Sequence, residues 1–370
     1  MKNIFFAIFL MSVLNGFSQK SYLIIGTYDS PKSEGIYVYN FDNINGSAKE
    51  VSHVKTSNPS YLTISPNNKY LYAVNENADI NGKGGSVTSF VFDKKIGTLT
   101  KINSQSSEGN HPCYITTDKS GKWVLTGNYS SGNFAVLPVH ENGELQPATQ
   151  IVQHQGKSID TVNQKSPHVH STFLTKDNKV LYVTDLGIDK IMMYSFDERI
   201  GKVKPSSQKF ISATAGSGPR HIDISADGRF MYVVQELAGK IALYSIKNNA
   251  LKEIQTLSGL PLNFKGKAGS ADIHISPDGN FLYASNRGES NTIGIFKINK
   301  KYGYLSLIKH QSSLGLAPRN FNFDPSGKYL LIANQNSNEV VIFKRNITTG
   351  LLTDTGNRIS VGKPVCIKWL

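Results

Sequence analysis

The sequence predicts an all-β protein with the architecture of a seven-bladed β-propeller, because one strand pattern recurs seven times. Six segments align without gaps, each opening with a basic residue or Asn followed by strand-forming residues; they begin at residues 69, 122, 179, 229, 280 and 328. The segment SYLIIGTY, residues 21–28, is a seventh copy. The steps between copies average about 51 residues, and periods of roughly 40–50 residues built from short β-runs are typical of propeller blades.

Each copy belongs to a group of four predicted antiparallel strands. In HIDIS-ADG-RFMYVVQ (221–235), a first strand and a tight turn precede the repeat strand. Asp followed by Gly supplies the left-handed residue of such a hairpin. A third strand follows at KIALYSIK (240–247) and a fourth at ALKEIQTL (250–257). The other copies repeat this order, and four antiparallel strands form the propeller unit.

The two ends of the chain predict how the ring closes. The chain opens on a lone strand of the second type, Tyr22–Tyr28, and finishes on a lone strand of the first type, residues 364–370. We therefore expect residues 21–28 to pair in the same sheet as residues 364–370 and the strands around 338–357. One blade would then contain strands from both termini.

Residues 1–18 differ from the repeats and predict a secretory signal peptide. They contain an early Lys2, an apolar run from Ile4 to Leu14, and the small residues Gly16 and Ser18. This segment is too short for a transmembrane helix and lacks the alternation of a β-strand. We expect one propeller domain over residues 19–370, no membrane span, and export to the periplasm or the extracellular space.

The formal net charge of +13 favours anionic partners, but its distribution argues against nucleic acid. Many basic residues occupy the same turn of successive repeats, where a solvated position is expected; they are Lys69, Lys122, Lys179, Arg229 and Lys328. The sequence has no run of five basic residues and no zinc-finger, helix-turn-helix or RNP-type motif. We predict a small-molecule substrate, no nucleic-acid partner, and a monomer.

The standard catalytic motifs are also missing from the sequence. It contains no G-x-S-x-G elbow, G-x-G-x-x-G, P-loop or H-E-x-x-H, so catalytic side chains would have to converge from several blades. The two cysteines, Cys113 and Cys366, belong to inner strands of different blades. We expect them to be buried free thiols and not a disulfide.

Strand register predicts which side chains meet at one mouth of the central channel. Because the first two strands of a blade form a hairpin, the start of the first and the end of the second lie at the same mouth. The hairpin turns, with their lysines, lie at the opposite face. Six of the residues at these two positions of the repeats are histidine, arginine or glutamate, and they are predicted to share one rim: His170, Arg220, Arg319, Glu236, Arg287 and Glu76. Such a rim could bind an anionic substrate and assist acid–base chemistry, or it could form a ring of inter-blade salt bridges.

Six long blocks of the sequence resemble the bacterial seven-bladed lactonase family. That family includes the propeller-type 6-phosphogluconolactonases and, more distantly, the fungal carboxymuconate-lactonizing enzymes. The blocks are GTYDSPKSEGIYVYNFD, TGNYSSGNFAVLPV, SPHVHS, GSGPRHIDISADGRFMYVVQE, SADIHISPDGNFLYASNRG and APRNFNFDPSGKYLLIANQNSNEVVIF. The resemblance covers residues 21–368 and is specific for the family, but much less specific for the substrate.

The resemblance also implies a catalytic group. It consists of a His, an Arg that follows Pro, a Glu at the end of the next strand and a further Arg; here these are His170, Arg220, Glu236 and Arg287. Substrate contacts are expected from other residues near the mouth, namely Glu76, His168, Asn286, Arg319 and Gln335. Four polar residues that alternate with apolar neighbours are expected to hydrogen-bond between inner strands; they are His221, His274, Asp223 and Asp272.

The implied function is hydrolysis of a sugar lactone by water. Neutral His170 or a Glu236 whose pKa is raised by burial could act as the base, while Arg220 and Arg287 would stabilise the oxyanion or bind a phosphate. No metal or cofactor is expected, because a lactone is already an activated ester.

Three other interpretations remain open. 6-Phosphogluconolactone arises in the cytoplasm, which conflicts with the predicted export, so the substrate could be a different, extracellular lactone. The protein could also be a non-catalytic periplasmic propeller that binds a sugar acid or a protein partner. A lactonizing or cycloisomerase enzyme is the third alternative.

Overall fold

The computed structural model describes residues 21–370, and within that range the chain forms twenty-eight β-strands and no α-helix. The predicted signal peptide, residues 1–18, lies outside the described residues. Across residues 21–370, no helix has the length and apolar character needed to cross a membrane. In chain order the strands are β1 (Ser21–Thr27), β2 (Gly35–Phe41), β3 (Ala48–Lys55), β4 (Leu62–Ile64), β5 (Tyr70–Asn75), β6 (Ser86–Asp93), β7 (Thr98–Ser106), β8 (Pro112–Thr117), β9 (Trp123–Asn128), β10 (Asn133–Pro138), β11 (Gln150–Gln153), β12 (Val169–Leu174), β13 (Val180–Asp185), β14 (Lys190–Asp197), β15 (Lys202–Ser212), β16 (Pro219–Ile224), β17 (Phe230–Gln235), β18 (Lys240–Lys247), β19 (Ala250–Ser258), β20 (Ser270–Ile275), β21 (Phe281–Asn286), β22 (Thr292–Ile298), β23 (Leu305–Ser312), β24 (Pro318–Phe323), β25 (Tyr329–Asn334), β26 (Glu339–Arg345), β27 (Leu352–Ser360) and β28 (Pro364–Trp369).

The strands form seven four-stranded antiparallel sheets, which are the blades of a ring. Blade 1 contains β28, β1, β2 and β3 in that order, and blades 2 to 7 contain β4–β7, β8–β11, β12–β15, β16–β19, β20–β23 and β24–β27. The first strand of each blade contacts the first strands of both neighbouring blades, from β4 around to β28 and back to β4. These inner strands enclose the central channel, and the predicted seven-bladed propeller is confirmed.

Both chain ends close the ring in blade 1, as predicted. β28 pairs antiparallel with β1, which places Gly26 opposite Cys366. The expectation that the strands around 338–357 join this sheet is wrong, because β26 and β27 pair within blade 7. The outer positions of blade 1 belong to β2 and β3, since consecutive strands joined by short connections pair with each other.

A contact between an aromatic ring and a glycine joins most neighbouring blades. The aromatic residue at the start of a second strand packs on the glycine in the turn between strands three and four of the next blade. The pairs are Tyr22–Gly97, Tyr70–Gly143, Trp123–Gly201, Phe230–Gly303, Phe281–Gly350 and Tyr329–Gly46. Gly143 has a φ of +83°, and a Cβ there would lie 2.3 Å from Cδ1 of Tyr70. Both conformation and space therefore require glycine. We call this contact the ring–glycine latch.

The seam between blades 4 and 5 lacks the ring–glycine latch. Val180 occupies the position of the aromatic ring, and the turn between β18 and β19 shortens to two residues, Asn248 and Asn249. Both have positive φ, 52° and 59°, which is the conformation of a two-residue hairpin turn. The ring and the glycine are thus lost together at this one seam.

Two further predictions are confirmed by burial. Cys113 and Cys366 are buried free thiols. The basic residues of the turns between first and second strands are exposed on the face opposite the strand-one starts; they are Lys69, Lys122, Lys179, Arg229 and Lys328.

Candidate active site

A β-bulge at the start of the inner strands sets the direction of several candidate side chains. In blade 4, the residues before and after His170 pair with successive residues of β13, so His170 itself has no partner. The same shift in register occurs at Cys113, Arg220 and Arg319. Bulges of this kind redirect a side chain and are common beside active sites.

The ends of the second strands are held at the same mouth by one repeated backbone hydrogen bond. The N–H of Glu236 donates to the carbonyl of Gly218 (2.7 Å), and that of Arg287 donates to Gly269 (3.1 Å). The equivalent residues of the other blades make the same bond; they are Tyr28, Glu76, Tyr129, Leu186 and Gln335. Each bond closes the hairpin two residues before the bulge position, so both rim positions of a blade lie side by side.

The structure brings the four residues of the expected catalytic group into one cluster around the Glu236 carboxylate. Oε2 of Glu236 lies 2.8 Å from Nε of Arg220 and 3.8 Å from Nε2 of His170. Oε1 lies 2.8 Å from Nη2 of Arg287. Arg220 and His170 are buried, whereas 20% of the Glu236 side chain and 18% of the Arg287 side chain are exposed. The cluster therefore runs from the channel wall up to solvent.

Both a hydrogen bond and an ion pair hold the Arg220 side chain in place. Its Nη1 donates to the carbonyl oxygen of Ala271 in blade 6. The Nε–H is close to Glu236 but is not aligned for a hydrogen bond to it, and it has no other acceptor among residues 21–370. The pair is therefore held by Coulomb attraction in a buried environment, where such attraction is strong.

Opposing effects set the pKa values of this cluster. Burial alone would raise the pKa of Glu236, but Arg287, Arg220 and Arg319 outweigh it and lower that pKa below its usual value. The expectation of a Glu236 whose pKa is raised by burial is therefore wrong. Burial, together with Arg220 and His221, holds the pKa of His170 well below 6.5. At neutral pH the cluster contains an ionised carboxylate and a neutral imidazole.

The pKa of Arg220 is lowered to about 10, chiefly by burial and by the charges of Arg287 and Arg319. It remains a cation at neutral pH. Burial would also lower the pKa of Arg319, but Tyr28, Glu76 and Glu236 outweigh it and raise that pKa.

A second group faces the cluster from blades 1, 2 and 7. The guanidinium carbon of Arg319 lies 5.2 Å from the centroid of the Tyr28 ring, a cation–π distance. The Tyr28 hydroxyl donates to Oε2 of Glu76 over 2.8 Å. Within the described chain, Arg319 has no carboxylate partner of the kind that Glu236 provides for Arg220 and Arg287. It is the cation of the rim with the most freedom to bind an anion.

His168 lies at the edge of the mouth as part of an aromatic platform. Its ring stacks on Tyr129 with centroids 4.4 Å apart. Its Nδ1–H donates to the Tyr129 carbonyl oxygen over 2.9 Å, so a neutral ring leaves Nε2 as an acceptor. Tyr129 also meets His170 edge to face at 5.4 Å, which connects the platform to the cluster.

Asn286 and Gln335 have different positions. The Asn286 side chain is fully buried: Nδ2 donates to the Gly259 carbonyl, and Oδ1 accepts from Ser270. The structure thus places Asn286 in the scaffold of blade 6 and not at the mouth. Gln335 is half-buried at the rim of blade 7, where its backbone completes the repeated hydrogen bond.

Asp272 links the inner strands below the mouth. Its carboxylate contacts Nδ1 of His221 (2.8 Å) and Nε2 of His274 (3.1 Å), and it accepts from the Asn320 amide of blade 7. Asp223 accepts from the backbone N–H of Ile275 in blade 6. The expected hydrogen bonds between inner strands are confirmed for His221, Asp223 and Asp272. For His274 the expectation is wrong, because its ring bonds to Asp272 within the same strand, β20.

Three rim residues escaped the sequence argument. Tyr28 occupies the last position of the copy SYLIIGTY, which is the position of Glu236 and Arg287 in their copies. Tyr129 and Cys113 also occupy rim positions of the repeats, but they carry no formal charge and so do not stand out in the sequence. Cys113 Sγ lies 3.7 Å from Nδ1 of His170, a contact that depends on the bulge.

The arrangement combines a neutral imidazole, an ionised carboxylate and three guanidinium groups at one mouth. A neutral imidazole can accept a proton, and fixed guanidinium groups can stabilise an anion that forms beside them. The geometry therefore suits attack of water on a carbonyl compound whose transition state is anionic.

Comparison with known proteins agrees with this fold. The family model described as lactonase, 7-bladed β-propeller, matches residues 22–369. A protein of Formosa agariphila named 6-phosphogluconolactonase is 39% identical over 336 residues, covering 89% of this chain and 94% of its own. A Bacillus subtilis protein of the same name is 36% identical, covering 94% and 97%.

A solved structure is similarly close. The Pseudomonas aeruginosa periplasmic gluconolactonase superposes with a TM-score of 0.90 at 37% identity, covering 95% of this chain and 99% of its own. The similarity therefore extends over nearly the whole chain.

Proposed function

Because the chain belongs to the seven-bladed β-propeller lactonase family, we propose that it hydrolyses the cyclic ester of a sugar lactone at the mouth that holds Glu236. The observation that carries this proposal is the cluster in which the Glu236 carboxylate contacts Arg220 and Arg287 beside the neutral imidazole of His170. The relatives named 6-phosphogluconolactonase and periplasmic gluconolactonase support the same reaction class.

His170 is the proposed base. Both carboxylate oxygens of Glu236 face a guanidinium, and the lowered pKa of Glu236 makes it a weak proton acceptor. The Nε2 of His170 lies only 3.8 Å from Oε2 of Glu236. An imidazolium that forms during the reaction would therefore sit beside an ionised carboxylate, which stabilises it.

The proposed reaction has two steps. Water attacks the lactone carbonyl carbon, its proton passes to Nε2 of His170, and the carbonyl oxygen becomes an oxyanion beside Arg220 and Arg287. The ring C–O bond then breaks, and the departing alkoxide takes the proton from His170. The products are the hydroxyl group and the carboxyl group of the open-chain sugar acid, and the carboxyl ionises.

The charge of the rim favours a substrate without a phosphate. Arg220, Arg287 and Arg319 contribute +3 and Glu236 and Glu76 contribute −2, which leaves a formal charge of +1. A net +1 matches the single negative charge of the oxyanion and of the carboxylate product. A phosphorylated lactone would bring about two further negative charges. We propose an unphosphorylated aldonolactone, with Arg319 binding the carboxylate that forms.

Export is consistent with this substrate. Residues 1–18 have the composition of a signal peptide, so we propose that the mature chain acts outside the cytoplasm. An N-terminal sequence beginning near Gln19 in protein from the periplasm or medium would support this. An intact Met1 in cytosolic protein would favour 6-phosphogluconolactone instead.

Initial rates on purified protein test the function. Gluconolactone and 6-phosphogluconolactone are compared, after subtraction of spontaneous hydrolysis, for the wild type and for Arg220→Ala. We expect faster turnover of the unphosphorylated lactone and a large loss in the variant. Equal, background-level hydrolysis by both proteins would leave a non-catalytic binding protein or a lactonizing or cycloisomerase enzyme.

A further inference from the structure

Two contacts of Nη1 hold the guanidinium group of Arg220. Nη1 donates to the carbonyl oxygen of Ala271, and it lies 3.3 Å from Nε2 and 3.4 Å from Nδ1 of the His221 ring. The Nε–H is close to Glu236 but is not aligned for a hydrogen bond to it. Within residues 21–370, no acceptor is bonded to Nη2. The contacts of Nη1 therefore fix the plane of the guanidinium group, and Nη2 is the nitrogen left for a ligand.

The β-bulge at Arg220 explains why two adjacent side chains meet. Pro219 pairs with Gln235 and His221 pairs with Val234, so Arg220 itself has no partner in β17. Successive side chains of a regular strand point to opposite faces, whereas a bulge redirects one of them. The side chains of Arg220 and His221 therefore contact each other although the residues are neighbours in the sequence.

Asp272 determines which nitrogen of the His221 ring can accept a hydrogen bond. Nδ1 of His221 lies 2.8 Å from Oδ1 of Asp272, and both residues are buried. Burial would raise the pKa of Asp272, but His274 and His221 outweigh it and hold that pKa well below 3.8. The carboxylate is therefore ionised and can only accept. The ring proton of His221 is then on Nδ1, which leaves the lone pair of Nε2 for Arg220.

The His221 ring must be neutral in this contact, because a guanidinium group has donors only. Burial and the charge of Arg220 lower the pKa of His221 to about 3, although Asp272 opposes the shift. The ring is therefore uncharged at neutral pH. A neutral acceptor beside Arg220 satisfies one of its N–H groups and leaves its positive charge intact.

Asp272 is itself held by residues of two blades. It accepts from Nε2 of His274 (3.1 Å) and from the backbone N–H of Ile273 (3.1 Å), both in blade 6, and from the Asn320 amide in blade 7. The contacts thus form a chain from blade 7 through Asp272 and His221 to Arg220. A histidine bonded in this way has a fixed ring orientation and a fixed tautomer.

We propose that His221 is a positioning residue for the lactonase reaction, which accepts a hydrogen bond from Arg220 in the tautomer that Asp272 fixes. His221 acts only through Arg220, by holding Nη1 so that Nη2 can reach the oxyanion. The effect on rate rests on the proposed function, whereas the chain of hydrogen bonds can be measured without turnover.

A double-mutant cycle tests whether His221 acts through Arg220. His221→Phe keeps a ring but removes the lone pair. It should lower kcat on an aldonolactone by about 10- to 100-fold, the range expected for a hydrogen bond to a charged group, with little change in KM. In an Arg220→Ala background, the same substitution should change kcat by less than about twofold. His221→Gln keeps an acceptor oxygen and should lose less activity than His221→Phe.

His310→Phe is the matched control. His310 is a partly buried histidine on the outer strand of blade 6, and its Nε2–H donates to the Gly259 carbonyl over 3.0 Å. The kinetic constants of this variant should equal those of the wild type. A loss from His221→Phe that is the same with and without Arg220 would overturn the proposal, because it would show a merely structural role. So would a His221→Phe protein that is folded by its Tm and keeps the kcat of the wild type.

NMR of histidine and arginine side-chain nitrogens tests the chain without turnover. The His221 signals, identified by their loss in His221→Gln, should show a neutral ring with its proton on Nδ1. The two Nη groups of Arg220, identified by their loss in Arg220→Ala, should give separate signals that average in His221→Phe, because the guanidinium group then rotates more freely.

Three NMR results would overturn the proposal: a neutral His221 ring protonated on Nε2, an imidazolium at neutral pH, or Arg220 signals that His221→Phe leaves unchanged. The wild-type tautomer decides the first two even where His221→Phe does not fold. A wild type that shows the expected signals but does not hydrolyse a lactone would contradict the proposed lactonase function and not the chain of hydrogen bonds.

Discussion

Nε of Arg220 lies 2.8 Å from Oε2 of Glu236, and these two residues occupy the two rim positions of the same hairpin. Arg220 is the bulge residue that precedes the turn, and Glu236 follows the strand that returns from it. The pair is therefore built into blade 5, and Arg287 and His170 reach it from the blades on either side. Removing Glu236 would leave two guanidinium groups without their counter-charge.

Arg220→Ala should reduce kcat by about 10²–10³, the usual effect of removing one group that stabilises an oxyanion. KM should change much less, because the charge that Arg220 stabilises forms only in the transition state. Steady-state kinetics on an aldonolactone measure both constants. Arg229→Ala, on the opposite face, is the control and should match the wild type. A larger change in KM than in kcat would assign Arg220 to substrate binding.

Activity should stay constant through neutral pH and fall only in acid. The base must be unprotonated, and the pKa of His170 is held well below 6.5 by burial, Arg220 and His221. The acidic limb of the pH–rate profile should therefore lie well below pH 6.5. Initial rates between pH 4 and pH 8, corrected for spontaneous hydrolysis, locate it. A midpoint at or above 6.5 would contradict a buried, neutral His170 as base.

Comparing His170→Gln with Glu236→Gln identifies the base. If His170 is the base, His170→Gln should remove both the rate and its acidic limb. The pH–rate profile of Glu236→Gln should keep its acidic limb, but the midpoint of that limb should shift. The reason is that a carboxylate no longer stabilises the imidazolium of His170. A Glu236→Gln protein whose residual rate has no acidic limb would instead make Glu236 the base.

The sequence predicted the ring and most of the rim because both follow from a repeat. One gapless segment per blade fixes where each strand begins, and the alternation of turn and strand then puts Glu236 and Arg287 at the mouth. The misassignment of residues 338–357 arose at the only blade that combines both termini. The repeat order itself, in which a third and a fourth strand follow each second strand, assigns these residues to the copy that begins at residue 328.

Side-chain environment was less predictable than position. Gln335 holds the rim position at the end of its copy, whereas Asn286 lies one residue before the equivalent position in blade 6. Because successive side chains of a strand point to opposite sides, Asn286 faces into the blade. Burial suggested a raised pKa for Glu236, but three arginines from three blades lower it. The positions of Arg220 and Arg319 relative to Glu236 depend on the β-bulges at those two arginines. The hydrophobic pattern of the sequence does not show where a bulge occurs.

The ring–glycine latch should be measurable in stability. Gly143→Ala combines a positive φ with a Cβ 2.3 Å from the Tyr70 ring and should lower the free energy of unfolding by about 2–5 kcal/mol. Gly356→Ala is the matched control, because Gly356 has a φ of +78° but no atom within 4 Å of the added Cβ. It should cost about 1–2 kcal/mol. Urea unfolding gives both values, and equal losses would mean that the ring contact contributes nothing.

Stability should also depend on pH through Asp272 and His274. Burial would raise the pKa of Asp272, but His274 and His221 outweigh it and hold that pKa well below 3.8. Burial would lower the pKa of His274, but Asp272 and Asp223 outweigh it and raise that pKa above 6.5. The stabilisation from Asp272 is present above pH 3.8 and lost in stronger acid. That from His274 is present below pH 6.5 and lost as pH rises through its raised pKa.

Asp272→Asn should therefore be most destabilising between about pH 4 and pH 6.5, and less so at higher pH. Urea unfolding of the wild type and Asp272→Asn across pH 4 to 9 tests this. In a His274→Gln background, the decrease of the Asp272→Asn effect with rising pH should disappear. A destabilisation that is constant across this range would show that the charges of the pair do not matter.

The two faces of the ring should respond differently to loss of positive charge. Arg319→Gln removes the rim cation that has no carboxylate partner in the described chain and should lower kcat/KM by about 10- to 100-fold, the range expected for a hydrogen bond to a charged group. Replacing Lys69, Lys122, Lys179 and Lys328 together by Gln removes four positive charges from the opposite face. An uncharged lactone is not steered by such distant charges, and exposed charges are screened by salt, so kcat/KM should stay within about twofold of the wild type. If the lysine variant loses as much activity as Arg319→Gln, the substrate does not bind at the mouth that holds Glu236.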